Sequence, residues 1–266
     1  MTLESLLHRA TLLMLCCTAI WIEPRAASAA AAIKPTVVLV HGAMADSTSW
    51  DGVIPKLQAH GYTVVAAVNP LRSLKGDADY VSSVLKAIQG PVVLVGHSYG
   101  GAVITNAAIG LSNVRALVYV AAVAPDNGES TFDLVGKFPG SELGAALRPP
   151  VELIGGAHDL SVQPEKFREP FAADVPLARV NLMAITQRPV TDVALKEPAG
   201  TPAWKSLPSW FIYGDADRSI PPAAHAFMAH RANARAVVVV KGASHVVMIS
   251  HPGAVARIIE EAARAE

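Results

Sequence analysis

The stretch Val92–Gly101, VVLVGHSYGG, runs an uninterrupted apolar segment straight into a serine with glycines two positions before and two positions after it. A continuous apolar run, unlike an alternating one, fits a strand covered on both faces. The residues that follow, Gly100–Gly110, read as a helix. A buried strand turning sharply into a helix restricts the chain to layered α/β architectures, in which helices cover both faces of the sheet.

The rest of the chain repeats this pattern. Thr36–Val40, Thr63–Val68, Val92–Val95, Ala116–Ala122, Trp210–Tyr213 and Ala236–Val240 read as strands, and Trp50–His60, Asp77–Ile88, Ala223–Arg231 and Pro252–Ala265 as helices between or after them. The alternation predicts a doubly wound, mostly parallel six-stranded sheet with right-handed crossovers. That core is expected over residues 33–125 and 208–266. The interval 126–207 breaks the rhythm: prolines recur, no strong strand is visible, and short amphipathic pieces such as Pro164–Ala173 appear. About 80 residues is far too long for an ordinary connection. It is expected to be a helical cap inserted over the carboxyl ends of the strands, where open α/β sheets hold their ligands.

The 266 residues suffice for a sizeable core, and 52% of them are hydrophobic. Formal net charge is zero and no basic cluster occurs, which excludes a nucleic-acid partner on electrostatic grounds. Arg9, the apolar run Ala10–Ile22 and the small residues Ala27-Ser28-Ala29 form a separate pattern at the N-terminus. The run falls short of the roughly 20 residues a bilayer requires, so residues 1–29 read as a secretory signal peptide. The mature protein is then expected in the periplasm or medium, without a stable membrane anchor. Both cysteines, Cys16 and Cys17, lie in that leader. A mature chain without cysteine has no thiol chemistry and no cysteine metal site.

The glycine-spaced serine also carries the chemistry. Ser98 sits where a strand-to-helix turn projects its hydroxyl, and the adjoining helix aims backbone N–H groups at the site. A serine hydroxyl is a weak nucleophile that needs a base, and the base needs an orienting acid. Downstream, WFIYGDADR brings Asp215 and Asp217 out of one strand, and VVVVKGASH brings His245 out of the next. All three loops fall at the same edge of the sheet. The other downstream histidines, His158, His225, His230 and His251, are expected on the surface or at helix ends. For the oxyanion hole, one backbone donor is expected at Tyr99 and the second at Ala43, in the loop VHGAM after the first strand. His41 in that loop could be a brace or a catalytic part, and Trp50 reads as a packing residue.

Together the runs HGAMADSTSW, GHSYGG, GDADRSIPP and GASHVVMISHP resemble the α/β-hydrolase superfamily. They are nearest to small bacterial hydrolases similar to the plant methyl-esterase and hydroxynitrile-lyase group. The resemblance spans the chain after the leader. It implies Ser98 as nucleophile, His245 as base, and Ala43 and Tyr99 as oxyanion donors, with no cofactor and no metal. Its G-x-x-D spacing selects Asp217 over Asp215. It further implies hydrolysis of carboxylic esters of small molecules. Alternatives on the same residues are carbon–carbon bond hydrolysis, cofactor-free haloperoxidation, hydroxynitrile cleavage, or ligand binding without catalysis. Lyases of the group carry a lysine after the catalytic histidine and a threonine in the oxyanion loop, where this chain has Val246 and Gly42. Met44 and the cap residues Leu134, Phe138, Leu182 and Met183 are candidates for a substrate pocket, with packing of the cap as the competing role.

Overall fold

Helical and strand segments alternate in the computed structural model, which describes residues 33–265. The leader and its cysteines lie outside the described residues. The first half contains β1 (Thr36–Val40), α1 (Ile54–Ala59), β2 (Val64–Ala67), α2 (Leu74–Ala87), β3 (Val92–His97), α3 (Gly100–Ala107) and β4 (Val114–Val120). An insertion follows, with α4 (Thr131–Gly136), α5 (Leu143–Ala146), β5 (Val151–Glu152), β6 (His158–Leu160), α6 (Arg168–Phe171), α7 (Leu177–Thr186), β7 (Val190–Thr191) and α8 (Asp192–Lys196). The chain ends with β8 (Ser209–Gly214), α9 (Pro222–Arg231), β9 (Ala236–Val240), α10 (Val247–Ser250) and α11 (Pro252–Arg264).

The main sheet has the order β2-β1-β3-β4-β8-β9 and every pairing in it is parallel. Val37–Val40, Val92–Val95 and Ala116–Val120 are all buried, as continuous apolar runs between two helical layers should be. The strand order reverses direction between β1 and β3. Loops leaving the carboxyl ends of those two strands diverge there and open the crevice used by such sheets. Among the described residues no helix is long and apolar enough to cross a membrane.

Three expectations change. The interval 126–207 is not purely helical: β5, β6 and β7 form a small antiparallel sheet within it. Strands of two or three residues leave too short a pattern to read. The first helix is split, with a 3₁₀ turn at Ser47–Trp50 capped by the Asp46 side chain and α1 starting only at Ile54. The Val-rich run of β9 is not covered on both faces, since Val237 and Val239 are 45% and 52% exposed. β9 is an edge strand, and its position in the sheet is set by pairing, not by its own residues.

A buried polar contact ties α2 to the start of α3. The Tyr99 hydroxyl donates to Asp77 Oδ2 at 2.8 Å, and both residues are buried. Burial pushes the Asp77 carboxyl above its ordinary range, against hydrogen bonds from the Arg72 N–H and the Tyr99 hydroxyl. Tyr99→Phe removes one of those donors and leaves the carboxylate short of a partner. It is expected to lower the unfolding free energy by about 1–3 kcal/mol, read as a shift of the denaturant midpoint. An unmoved midpoint would show that the hydroxyl contributes nothing there.

Candidate active site

Ser98 occupies the turn between β3 and α3 with φ of 53°, in the left-handed region, which is uncommon for a residue with a Cβ. A strained backbone of this kind persists only where its surroundings over-determine it. Here Ser98 N donates to Val120 O at 3.3 Å, while Ser98 O accepts from Gly101 N at 2.9 Å and Val123 N at 3.2 Å. The flanking glycines are needed for space. A Cβ on Gly96 would lie 2.5 Å from Gly100 O, and one on Gly100 would lie 2.7 Å from Val40 O.

His245 lies in the loop after β9 and is fully buried. The Ser98 hydroxyl is 2.9 Å from His245 Nε2, and His245 Nδ1 is 2.8 Å from Asp217 Oδ2. A carboxylate can only accept, so Nδ1 carries the proton and Nε2 is free to accept from the serine. Asp217, in the loop after β8, also accepts from Ser219 N at 2.8 Å and Ile220 N at 2.9 Å through Oδ1. Burial by itself would raise this carboxyl; the neighbouring His245 and His225 outweigh it and hold Asp217 well below the usual range. Asp215, the other carboxylate of the loop, is exposed and accepts from Gly242 N at 2.6 Å. It braces the loop carrying His245 and does not touch the imidazole.

The loop after β1 runs against Ser98: a Cβ on Gly42 would stand 2.6 Å from Ser98 Cβ. Ala43 follows directly. Among the described residues neither Ala43 N–H nor Tyr99 N–H donates to a backbone carbonyl, so both candidate oxyanion donors are free of intramolecular acceptors. His41 is a brace: its Nδ1 is 2.9 Å from Gly42 O, and its Nε2 accepts from Asn69 N at 3.0 Å. Trp50 is fully buried with its ring edge-on to His97, a packing position.

The insertion reaches the loops that carry these groups. Arg188 O accepts from Met44 N at 3.1 Å, Pro170 O accepts from the Ser219 hydroxyl at 2.7 Å, and Asp174 accepts from the Ser244 hydroxyl. Phe171 sets its ring edge-on to His245 at 5.1 Å between centroids. None of these contacts was visible in sequence, because each joins residues far apart in the chain.

Of the pocket candidates, Met44 and Met183 line one cavity of about 20 Å³ together with Arg179, Gln187 and Ile249. That is roughly the space of one water, and neither Ser98 nor His245 is among the residues that line it. Leu134 is buried in the core and Phe138 packs on Phe227, while Leu182 is 52% exposed; none of the three lines that cavity. His158 and His251 are half-buried and His230 is exposed. His225, expected on the surface or at a helix end, is instead fully buried with Nε2 3.0 Å from Asp217 Oδ2. An amphipathic helix gives little sign of which polar residue on its inner face will find a buried partner.

A parallel six-stranded sheet whose strand ends hold a serine, an imidazole and a carboxylate in hydrogen-bonded sequence defines the class of α/β hydrolases. Residues 37–258 match the model of the alpha/beta hydrolase family, and the chain belongs to that family. It is 28% identical to the alpha/beta hydrolase nvfD of Aspergillus novofumigatus (strain IBT 16806) over 87% of this chain and 97% of that protein. It is 24% identical to an alpha-hydroxynitrile lyase of Arabidopsis thaliana over 82% of this chain and 93% of the lyase. The crystal structure of polyneuridine aldehyde esterase shares its fold with a TM-score of 0.74 at 20% identity, over 86% of this chain and 99% of that one.

Proposed function

We propose that the chain is a serine esterase that hydrolyses carboxylic esters of small molecules through an acyl-enzyme. The observation that carries this reading is the continuous hydrogen-bonded path from Ser98 Oγ through His245 to Asp217, at 2.9 and 2.8 Å. Ser98 Oγ attacks the ester carbonyl carbon as His245 Nε2 takes its proton. The carbonyl oxygen becomes an oxyanion, held by the N–H groups of Ala43 and Tyr99. As the tetrahedral centre collapses, the alkoxide leaves with the proton from His245. A water then enters by the same sequence, and the acid departs with Ser98 restored. Asp217 stays ionised throughout and stabilises the transient imidazolium.

Relatives whose names include both an esterase and a hydroxynitrile lyase make the choice between hydrolysis and cyanide release the sharpest one. Two residues favour hydrolysis. Val246, directly after His245, is buried and apolar and offers no charge to departing cyanide. Gly42 leaves no hydroxyl in the oxyanion loop, and its lack of a side chain lets that loop press against Ser98. Purified enzyme is expected to turn over p-nitrophenyl acetate and to release no cyanide from mandelonitrile above background. Ser98-dependent cyanide release that outpaces ester hydrolysis would reverse the assignment.

A further inference from the structure

Asp217 is shared. Its Oδ2 lies 2.8 Å from His245 Nδ1 and 3.0 Å from His225 Nε2, and all three side chains are fully buried. With Ser219 N and Ile220 N on Oδ1, the carboxylate accepts four hydrogen bonds, which fills the lone-pair sites of both oxygens. His225 reaches this position from α9, where its ring stacks on Tyr213 at 4.7 Å between centroids and 20° between planes.

The chemistry of the contact settles the protonation of His225. Facing a carboxylate, Nε2 must carry a proton. Its Nδ1 is buried with no hydrogen-bond partner among the described residues. A proton on Nδ1 would place a donor, and a second buried cation, where nothing accepts it, which is costly. His225 is therefore a neutral imidazole donating through Nε2.

We propose, building on the serine-hydrolase reading, that His225 is a positioning residue for His245, acting through the carboxylate oxygen they share. Its N–H closes the last acceptor site of Asp217, so the carboxylate cannot rotate away from His245 Nδ1. It also withdraws electron density from Oδ2, which moderates how strongly the carboxylate holds a proton on His245. His245 thus keeps its orientation, with its Nδ1–H held by a carboxylate oxygen that a second donor shares. The titratable groups packed around the pair are Asp217 and Tyr213 from β8 and its loop, His97 from β3, and Asp174 from the insertion, across Ser244. His97 adds no charge, since burial and then the nearby His245 hold it well below the ordinary imidazole range.

The test uses the whole enzyme with an activated ester, comparing His225→Leu, His225→Gln and His225→Asn over a full pH range. Leucine fills the space without a donor; glutamine sets an amide N–H near the place of Nε2; asparagine is too short to reach. His225→Leu is expected to lower kcat about 10- to 100-fold, a typical range for an outer partner that orients a reacting group, with KM within about threefold. The acid limb of kcat/KM, which reports the base of the free enzyme, should move to higher pH. His225→Gln should restore both kcat and the limb, and His225→Asn should not. If leucine prevents folding, the contrast between glutamine and asparagine decides alone. An acid limb that stays in place or moves down in the variants without a donor overturns the proposal, as does equal loss in glutamine and asparagine. Ser98→Ala in the same assay separates the two claims. Activity surviving there overturns the serine-hydrolase reading itself, whereas its loss beside an unchanged His225→Leu profile overturns only the role of His225.

Discussion

Ser98→Ala is expected to lower kcat on activated esters by about six orders of magnitude, with the remaining rate coming from the oxyanion donors and substrate binding. The large effect follows from removing the nucleophile of a machinery that acts as one unit: His245 and Asp217 have no function without the hydroxyl they activate. The fold should survive. Deleting one half-buried oxygen leaves the backbone bonds of the turn, from Ser98 N to Val120 O and from Gly101 N and Val123 N to Ser98 O, in place. Alanine keeps the Cβ that the positive φ already accommodates. Kinetics on protein whose circular dichroism and melting temperature match the wild type would test this. Retention of even a tenth of the activity would remove Ser98 from the mechanism.

The second large effect is expected at Asp217. Asp217→Asn keeps the shape but replaces an acceptor with a group that also donates, which favours the wrong tautomer of His245 and should cost about 10⁴-fold in kcat. Asp215→Asn should cost far less, since Asp215 is exposed and only accepts from Gly242 N. The two variants assayed side by side give the test; a greater loss at Asp215 would exchange the roles. Stability adds a second readout at Asp217. Its carboxyl titrates lower in the folded than in the unfolded chain, where an aspartate titrates near about 3.9. Ionised Asp217 therefore contributes stability that is present above that unfolded value and lost as pH falls through the folded one. Asp217→Asn lacks this contribution, so its melting temperature should lie below the wild type at neutral pH. The gap should narrow in acid.

The fold was legible because its signals are local. A covered parallel strand must be apolar throughout, and Val92–Val95 and Val37–Val40 carry that mark in consecutive residues. The serine turn is equally local: Gly96 and Gly100 are required by contacts within the turn and with the neighbouring β1 strand. Ser98, His245 and the pair of aspartates could be named because each follows directly on such a strand. Choosing between Asp215 and Asp217 was another matter, since both are carboxylates in one short loop. Family spacing pointed to Asp217; the distances in the structure link only Asp217 to the imidazole.

What remained hidden depends on partners that lie outside the element carrying each residue. Nothing within PAAHAFMAHR tells that His225 turns inward to a carboxylate while His230 stays in solvent. Nor do the short strands of the insertion, or its contacts with Met44, Ser219 and Ser244, leave a periodic trace, because two or three residues are too few to make one. The exposure of β9 has the same origin: an edge and a centre differ only in what lies beside them. The sequence by itself determined the strands of the main sheet, the serine turn and the residue types that meet at the strand ends, since backbone sterics and apolar burial act between neighbours. Only the tertiary structure decided which polar groups pair across the chain, because a buried hydrogen bond depends on distance in space and its partners carry no mark of each other in the sequence.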